Sequence, residues 1–181
     1  MTLPFYTVGH STRTIEEFVE LLQAVRITLV IDIRTIAKSR TNPHYNKENL
    51  PQNLSPYNIG YQQIEQLGGL RSKSKQTDPT VNGFWENKSF HNYADYALTE
   101  SFHAGFDQLI DLGQKHCCVM MCSEAVWWRC HRRIIADYLL ARGEEVAHLM
   151  GKDKINTATL TKGAQVREGG IVTYPAGEAE C

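Results

Sequence analysis

Nowhere in the 181-residue chain do about 18 apolar residues run together, which excludes a helix crossing a bilayer. Cysteine is scarce and odd in number. There are five, four of them between positions 117 and 130, and such crowding argues against the disulfide framework of a secreted protein. The first residues, Met1-Thr2-Leu3-Pro4-Phe5, lack the basic region and long apolar core of a signal peptide, so cytoplasmic residence is the expectation. There is no internal repeat and no composition shift that marks a domain boundary. One domain over 1–181 is therefore expected, able to bury roughly 70% of its unfolded surface without cross-links. A strong net charge is lacking too, at −1 overall.

What is present is unevenly spread. Arg34, Lys38, Arg40 and Lys47 form one basic block without acids, Arg71, Lys73 and Lys75 a second, and Arg129, Arg132 and Arg133 a third. Such patches suit an anionic ligand, although each block alone reads equally as a solvated face. The hydrophobic pattern predicts a strand at 5–8 and a helix capped by Thr14, with Ile15, Phe18, Val19, Leu22 and Val25 at helical spacing. Residues 27–33 form a β-branched, nearly continuous apolar run, as in a buried parallel strand. Further along, the pattern predicts a short helix at 47–54 limited by Pro51 and a weaker strand at 59–64. A loop or lid at 72–88 follows. Residues 90–113 read as one long helix, or two interrupted near His103-Ala104-Gly105. A strand at 117–121, a helix at 130–142 stopped by Gly143 and a strand at 145–149 come next. The segment 152–181 reads as a β-rich tail packed on the domain, with short runs at 158–160 and 171–174 around Glu168-Gly169-Gly170. The expected fold is α/β: three layers, a mostly parallel sheet with flanking helices.

Three strands in this scheme end in polar groups. Val8 leads to His10 and Ser11, Val30 to Asp32 and Arg34, and Met121 to Cys122 and Glu124. In a parallel sheet these ends share one edge, and ligands bind outside the carboxyl ends of strands. Cys122 is the candidate nucleophile, since arginines and a helix N-terminus favour a thiolate, against the alternative that it simply ends a buried strand. Glu124 and His10 are the candidate proton-transfer groups, and Glu124 can equally cap the next helix. Ser11, Asp32, Arg34, Arg40, His44 and Arg71, with Cys130, His131 and Arg132, are the candidate substrate or anion contacts. Arg132 and Arg133 at a helix start oppose the macrodipole, an arrangement that an anion would relieve. Trp127, Trp128, Phe84, Trp85, Tyr93 and Tyr96 can stack bases or pack a core. Metal binding is disfavoured. Cys122 and Cys130 have seven residues between them, against the two to four usual for zinc pairs, and neighbours such as Cys130 and His131 point apart on a helix. A Cys-x5-Arg phosphate loop is absent, because six residues separate Cys122 from Arg129. No metal and no cofactor is expected.

Thr7-Val8-Gly9-His10-Ser11, Asp32-Ile33-Arg34, Ser39-Arg40-Thr41-Asn42-Pro43-His44-Tyr45, Leu67-Gly68-Gly69-Leu70-Arg71, Tyr93-Ala94-Asp95-Tyr96, Cys122-Ser123-Glu124 and Cys130-His131-Arg132 occur in that order. With Thr161-Lys162-Gly163-Ala164 and Thr173-Tyr174-Pro175, they extend over nearly the whole chain. On these motifs the chain resembles the prokaryotic family known as domain of unknown function 488. The resemblance implies a compact α/β domain with an enzyme-like pocket and supplies no reaction. The expected function is an enzyme acting on a phosphorylated or nucleic-acid substrate, by thiol chemistry or Glu-assisted hydrolysis. The alternatives are a non-catalytic nucleic-acid-binding module, and a metal or redox sensor using Cys122 and Cys130. The expected partner is an anionic small molecule or nucleic acid, not a membrane, and the oligomeric state is left open.

Overall fold

A computed structural model describes residues 3–176; the ends of the expected 1–181 domain and of its 152–181 tail lie outside that range. The chain begins with β1 (Phe5–Gly9), α1 (Ile15–Ala24) and β2 (Leu29–Asp32). Thr14 caps α1 in a reciprocal capping box with Glu17. The short helix α2 (Leu50–Leu54) leads to β3 (Gly60–Gln63). Pro51 stands at its first turn and does not limit it, because a missing N–H costs nothing there. Two helices follow, α3 (Lys88–Tyr96) and α4 (Glu100–Lys115), then β4 (Cys118–Cys122), α5 (Arg132–Ala141) and β5 (Val146–Gly151). The tail contributes β6 (Lys154–Thr157) and the small hairpin β7 (Gln165–Val166) and β8 (Val172–Thr173).

The main sheet has the order β3-β2-β4-β1-β5-β6, and all its neighbours are parallel except β5 and β6. Its two faces sort by alternation. Leu29, Ile31, Cys118, Met120 and Cys122 face one cluster with Tyr93, Phe102, Phe106, Ile135 and Leu139. Val30, Val119 and Met121 face the other, with Phe18, Leu22, Leu50 and Leu54. The expected three-layer α/β architecture is thus present, with α1 and α2 on one face and α3, α4 and α5 on the other.

Three boundaries differ from expectation. The interruption in 90–113 lies at Ala97–Thr99, where the Thr99 hydroxyl accepts from the Phe102 N–H at 3.3 Å and starts α4. Gly105 stays helical. A side chain there would press to 2.7 Å from the Gln66 side chain, so this glycine serves close packing. Helix α5 starts at Arg132 and not at 130, because Trp127–Arg129 form a separate 3-10 turn. Residues 158–160 carry no strand; the added edge is β6, just before them.

Candidate active site

Strand β4 lies between β2 and β1, so the three polar strand ends become neighbours. Gly9 stands opposite Cys122, and Asp32 opposite Met121. The ladder runs on past the strands: His10 N–H donates to the Cys122 carbonyl at 2.9 Å, Ser11 N–H to Ser123 at 3.1 Å, and Ile33 N–H to Met121 at 3.1 Å. A side chain at position 9 would overlap the Glu124 carbonyl, so this approach requires glycine. Outside these ends opens a cavity of about 810 Å³. His10, Ser11, Arg34, Cys122, Glu124, Cys130 and His131 line it; Asp32, Arg40, His44, Arg71 and Arg132 do not.

The floor is sulfur. The Cys122 and Cys130 Sγ atoms lie 2.7 Å apart, both side chains about 5% exposed or less. Arg132 lies beneath them, fully buried. Its Nη1 donates to Cys122 Sγ at 2.7 Å and to the Glu124 carbonyl at 2.6 Å. Its Nη2 donates to Ala125 O at 3.3 Å and its Nε to Thr7 Oγ1 at 3.1 Å. Every arm is occupied, so Arg132 is a brace for the thiols and not the expected direct anion contact. Burial acts to raise the Cys130 thiol, yet the proton shared with Cys122 and the Arg132 guanidinium outweigh it and leave it below the ordinary value. Burial and the neighbouring sulfur push Cys122 well up. The pair thus gives up its first proton more readily than an ordinary thiol and holds the second, as coupled groups do.

His131 stands beside Cys130. Its Nε2 donates to the Ile33 carbonyl at 2.9 Å, leaving Nδ1 directed at Cys130 Sγ, 3.5 Å away. Burial pushes the imidazole down, which favours the neutral form with a lone pair on Nδ1. A side chain at Gly69 would collide with the His131 ring, so the Gly68-Gly69 turn fits against it.

His10 is differently placed from what its role as a base requires. It is 2% exposed and stacked on Tyr45 at 4.2 Å, with Nδ1 donating to Ser11 O at 2.8 Å. Arg34 Nη1 approaches its Nε2 at 3.4 Å. Burial, reinforced by that guanidinium, pushes the imidazole down to about 4. Arg34 is held by Asp32 through Nε at 2.8 Å and Nη2 at 2.7 Å, and by the Tyr45 carbonyl at 2.7 Å. Asp32, fully buried, also accepts from the Tyr61 hydroxyl and neutralises Arg34 rather than meeting a ligand. Arg71 is engaged with Gly68 O at 2.9 Å and Glu65 O at 2.6 Å and lies over the Tyr96 ring. His44 donates to Arg13 O at 3.0 Å, and Arg40 is exposed away from the cavity.

The lining also holds Lys38 and Arg129, each from one of the expected basic blocks, and three residues outside the expected set. Lys38 and Arg129 are exposed at the rim, and Asn87, Ser89 and Phe90 at the start of α3 close one wall. The signal for the last three was faint: Asn87 is an N-cap, its side chain accepting from Ser89 and Phe90 N–H groups. The aromatics proposed for base stacking mostly pack. Trp127 stacks on His148 at 4.8 Å, Trp85 meets Phe84, Phe90 and Tyr174, and the Tyr93 and Tyr96 hydroxyls donate to Leu67 O and Gln66 O. Among the described residues no three or more His, Cys, Asp or Glu side chains are grouped so as to hold a metal.

Residues 14–139 match the model of the family described as domain of unknown function DUF488. The chain belongs to that family. The matched span runs from the Thr14 cap into α5 and takes in both sulfurs, His131 and Arg132, while His10 and Ser11 precede it. No curated protein and no solved structure matches this DUF488 chain. No helix among its described residues is long and apolar enough to cross a membrane.

Proposed function

We propose that this chain is a thiol-dependent enzyme for a phosphorylated or nucleic-acid substrate, with Cys130 as nucleophile and His131 as its proton acceptor. The observation that carries the reading is the sequence of contacts Cys130 Sγ, His131 Nδ1 at 3.5 Å, and His131 Nε2 to the Ile33 carbonyl at 2.9 Å, on the floor of the cavity. A nucleophile, a base and a group that orients the base are the parts of activated-nucleophile catalysis. The expected nucleophile, Cys122, becomes the partner thiol that shares the proton, and Arg132 steadies the charge. Glu124, exposed at the rim, is positioned to protonate a leaving group.

The charge of the lining supports an anionic substrate. Lys38 and Arg129 face the opening, Arg34 lies behind them with its charge met by Asp32, and Glu124 is the one acid among the lining residues. Two cations in no ion pair among the described residues suit a phosphate group or nucleotide better than a long nucleic-acid backbone, which needs several such contacts. A purely binding module has no use for a sulfur pair beneath its ligand, which favours the catalytic reading.

The test is turnover and binding with p-nitrophenyl phosphate, nucleoside monophosphates and a short single-stranded oligonucleotide. Cys130→Ser and His131→Asn abolish turnover, while Lys38→Gln with Arg129→Gln raises KM and spares kcat. Full turnover by Cys130→Ser removes the thiol mechanism. Failure of every probe to bind at low salt removes the anionic substrate.

A further inference from the structure

Cys122 and Cys130 lie on different elements, one ending β4 and the other following the 3-10 turn at Trp127–Arg129. Their sulfurs nevertheless stand 2.7 Å apart. A disulfide needs about 2.05 Å, so roughly 0.7 Å of closure separates the dithiol from the bond. The connecting residues 123–129 hold no strand and no α-helix, and Ser123, Glu124, Trp128 and Arg129 are exposed, so a closure of that size breaks no regular element. Cys122 and Cys130 both line the cavity, which opens to the outside.

The other two described cysteines provide an internal contrast. Cys117 and Cys118 sit at the far end of β4, with thiols directed at the Val25 and His116 carbonyls at 3.6 Å. Burial pushes Cys118 up to about 12, and no arginine faces either sulfur in the way that Arg132 faces Cys122. One pair is prepared for thiolate chemistry and the other is not.

We propose that the Cys122–Cys130 pair reduces hydroperoxides, Cys130 attacking and Cys122 resolving, and closes to a reversible disulfide that also switches the site off. The choice of attacking sulfur rests on the reading of Cys130 as nucleophile; the pairing itself does not. The Cys130 thiolate attacks the terminal oxygen of ROOH. The S–O bond forms, the O–O bond breaks, and the alkoxide leaves and takes a proton to become ROH. The Cys122 thiol then attacks the Cys130 sulfenic acid, the S–S bond forms, and water departs. Two thiols and one hydroperoxide yield one disulfide, one alcohol and one water, with two electrons passing from sulfur to oxygen. A small dithiol restores the reduced pair by exchange. With Cys130 bonded to Cys122, no nucleophile remains for the anionic substrate.

The experiment treats the reduced full-length protein with one equivalent of hydrogen peroxide or cumene hydroperoxide, followed by intact mass and peptide mapping. The wild type loses two hydrogens, maps as a Cys122–Cys130 cross-link, and regains its mass with dithiothreitol. In Cys122→Ser the added oxygen stays on Cys130, where a 1,3-diketone traps it; in Cys130→Ser neither product forms at these positions. Cys117→Ser with Cys118→Ser reacts as the wild type. Cys130 oxidised without a cross-link, or a cross-link through Cys117 or Cys118, overturns the proposal. A cross-link that forms while no phosphorylated probe turns over upholds the redox pair and fails only the substrate reading. Turnover that depends on Cys130 without any cross-link fails the redox pair alone.

Discussion

Two buried polar networks flank α5 and look alike by composition. One is centred on Arg132, with Thr7, His148, the two sulfurs and the Glu124 and Ala125 carbonyls. The other is centred on Asp137. Its carboxylate accepts from Thr161 N–H at 2.9 Å and the Tyr174 hydroxyl at 2.7 Å, and Tyr174 N–H donates in turn to Asn82, which reaches Asp95. Both satisfy groups that would be costly to bury alone. Among the described residues the Asp137 network does not line the site cavity; its Asp95 end lines a separate cavity of about 320 Å³, and the network fastens the tail and the 72–88 segment to the domain. The Arg132 network ends at two sulfurs in the cavity floor. Burial and hydrogen bonding therefore do not mark function by themselves; what separates the two networks is that one ends in paired thiols at the site cavity.

The largest test of that contrast is Arg132→Leu. It removes the guanidinium donor from Thr7, Cys122 and the Glu124 and Ala125 carbonyls, and costs on the order of 3–5 kcal/mol in urea unfolding. The thiol of Cys130 rises as well, so its alkylation at neutral pH slows. A mutant that keeps normal thiol reactivity would break the link between brace and sulfur.

Acid should weaken the Arg132 side next. Burial, with Arg132 and Arg133 nearby, pushes His148 down to about 3, and His10, which belongs to neither network, lies at about 4 and adds to the same trend. Below the unfolded value near 6.5 the unfolded chain takes up protons that the folded one refuses, so stability falls as pH drops. At pH 5 this is about 2 kcal/mol for each histidine. Denaturant midpoints between pH 7 and 5 measure it, and His148→Phe should flatten the slope.

Tyr174→Phe cuts one hydrogen bond to the Asp137 carboxylate and should cost about 1.5–2 kcal/mol. Thiol alkylation should stay as in the wild type; a change in it would merge the two networks into one. The smallest stability effect is expected for Lys38→Gln and Arg129→Gln, within about 0.5 kcal/mol since both are exposed. Their effect should appear instead as weaker, less salt-sensitive binding of a nucleoside monophosphate by calorimetry.

The strand ends were legible because a buried parallel strand is written as a continuous apolar run, and its first polar residue marks the edge. His10, Arg34, Cys122 and Glu124 were found in this way. Arg132 was legible as an anomaly, a cation at a helix start, but the reason was misread: its neighbours are carbonyls and a thiol of its own chain rather than an external anion. Asn87, Ser89 and Phe90 were not legible, since a helix cap looks the same on any face.

By itself the sequence determined the α/β class, the order of elements as far as β5 and the polar residues that follow β1, β2 and β4, because alternation and capping are local and act through neighbouring residues. Only the tertiary structure decided that β4 enters between β2 and β1, that Cys122 and Cys130 meet across eight positions, and that Arg132 turns inward. Those facts depend on which distant groups satisfy one another once water is excluded, and spacing along the chain carries no record of that.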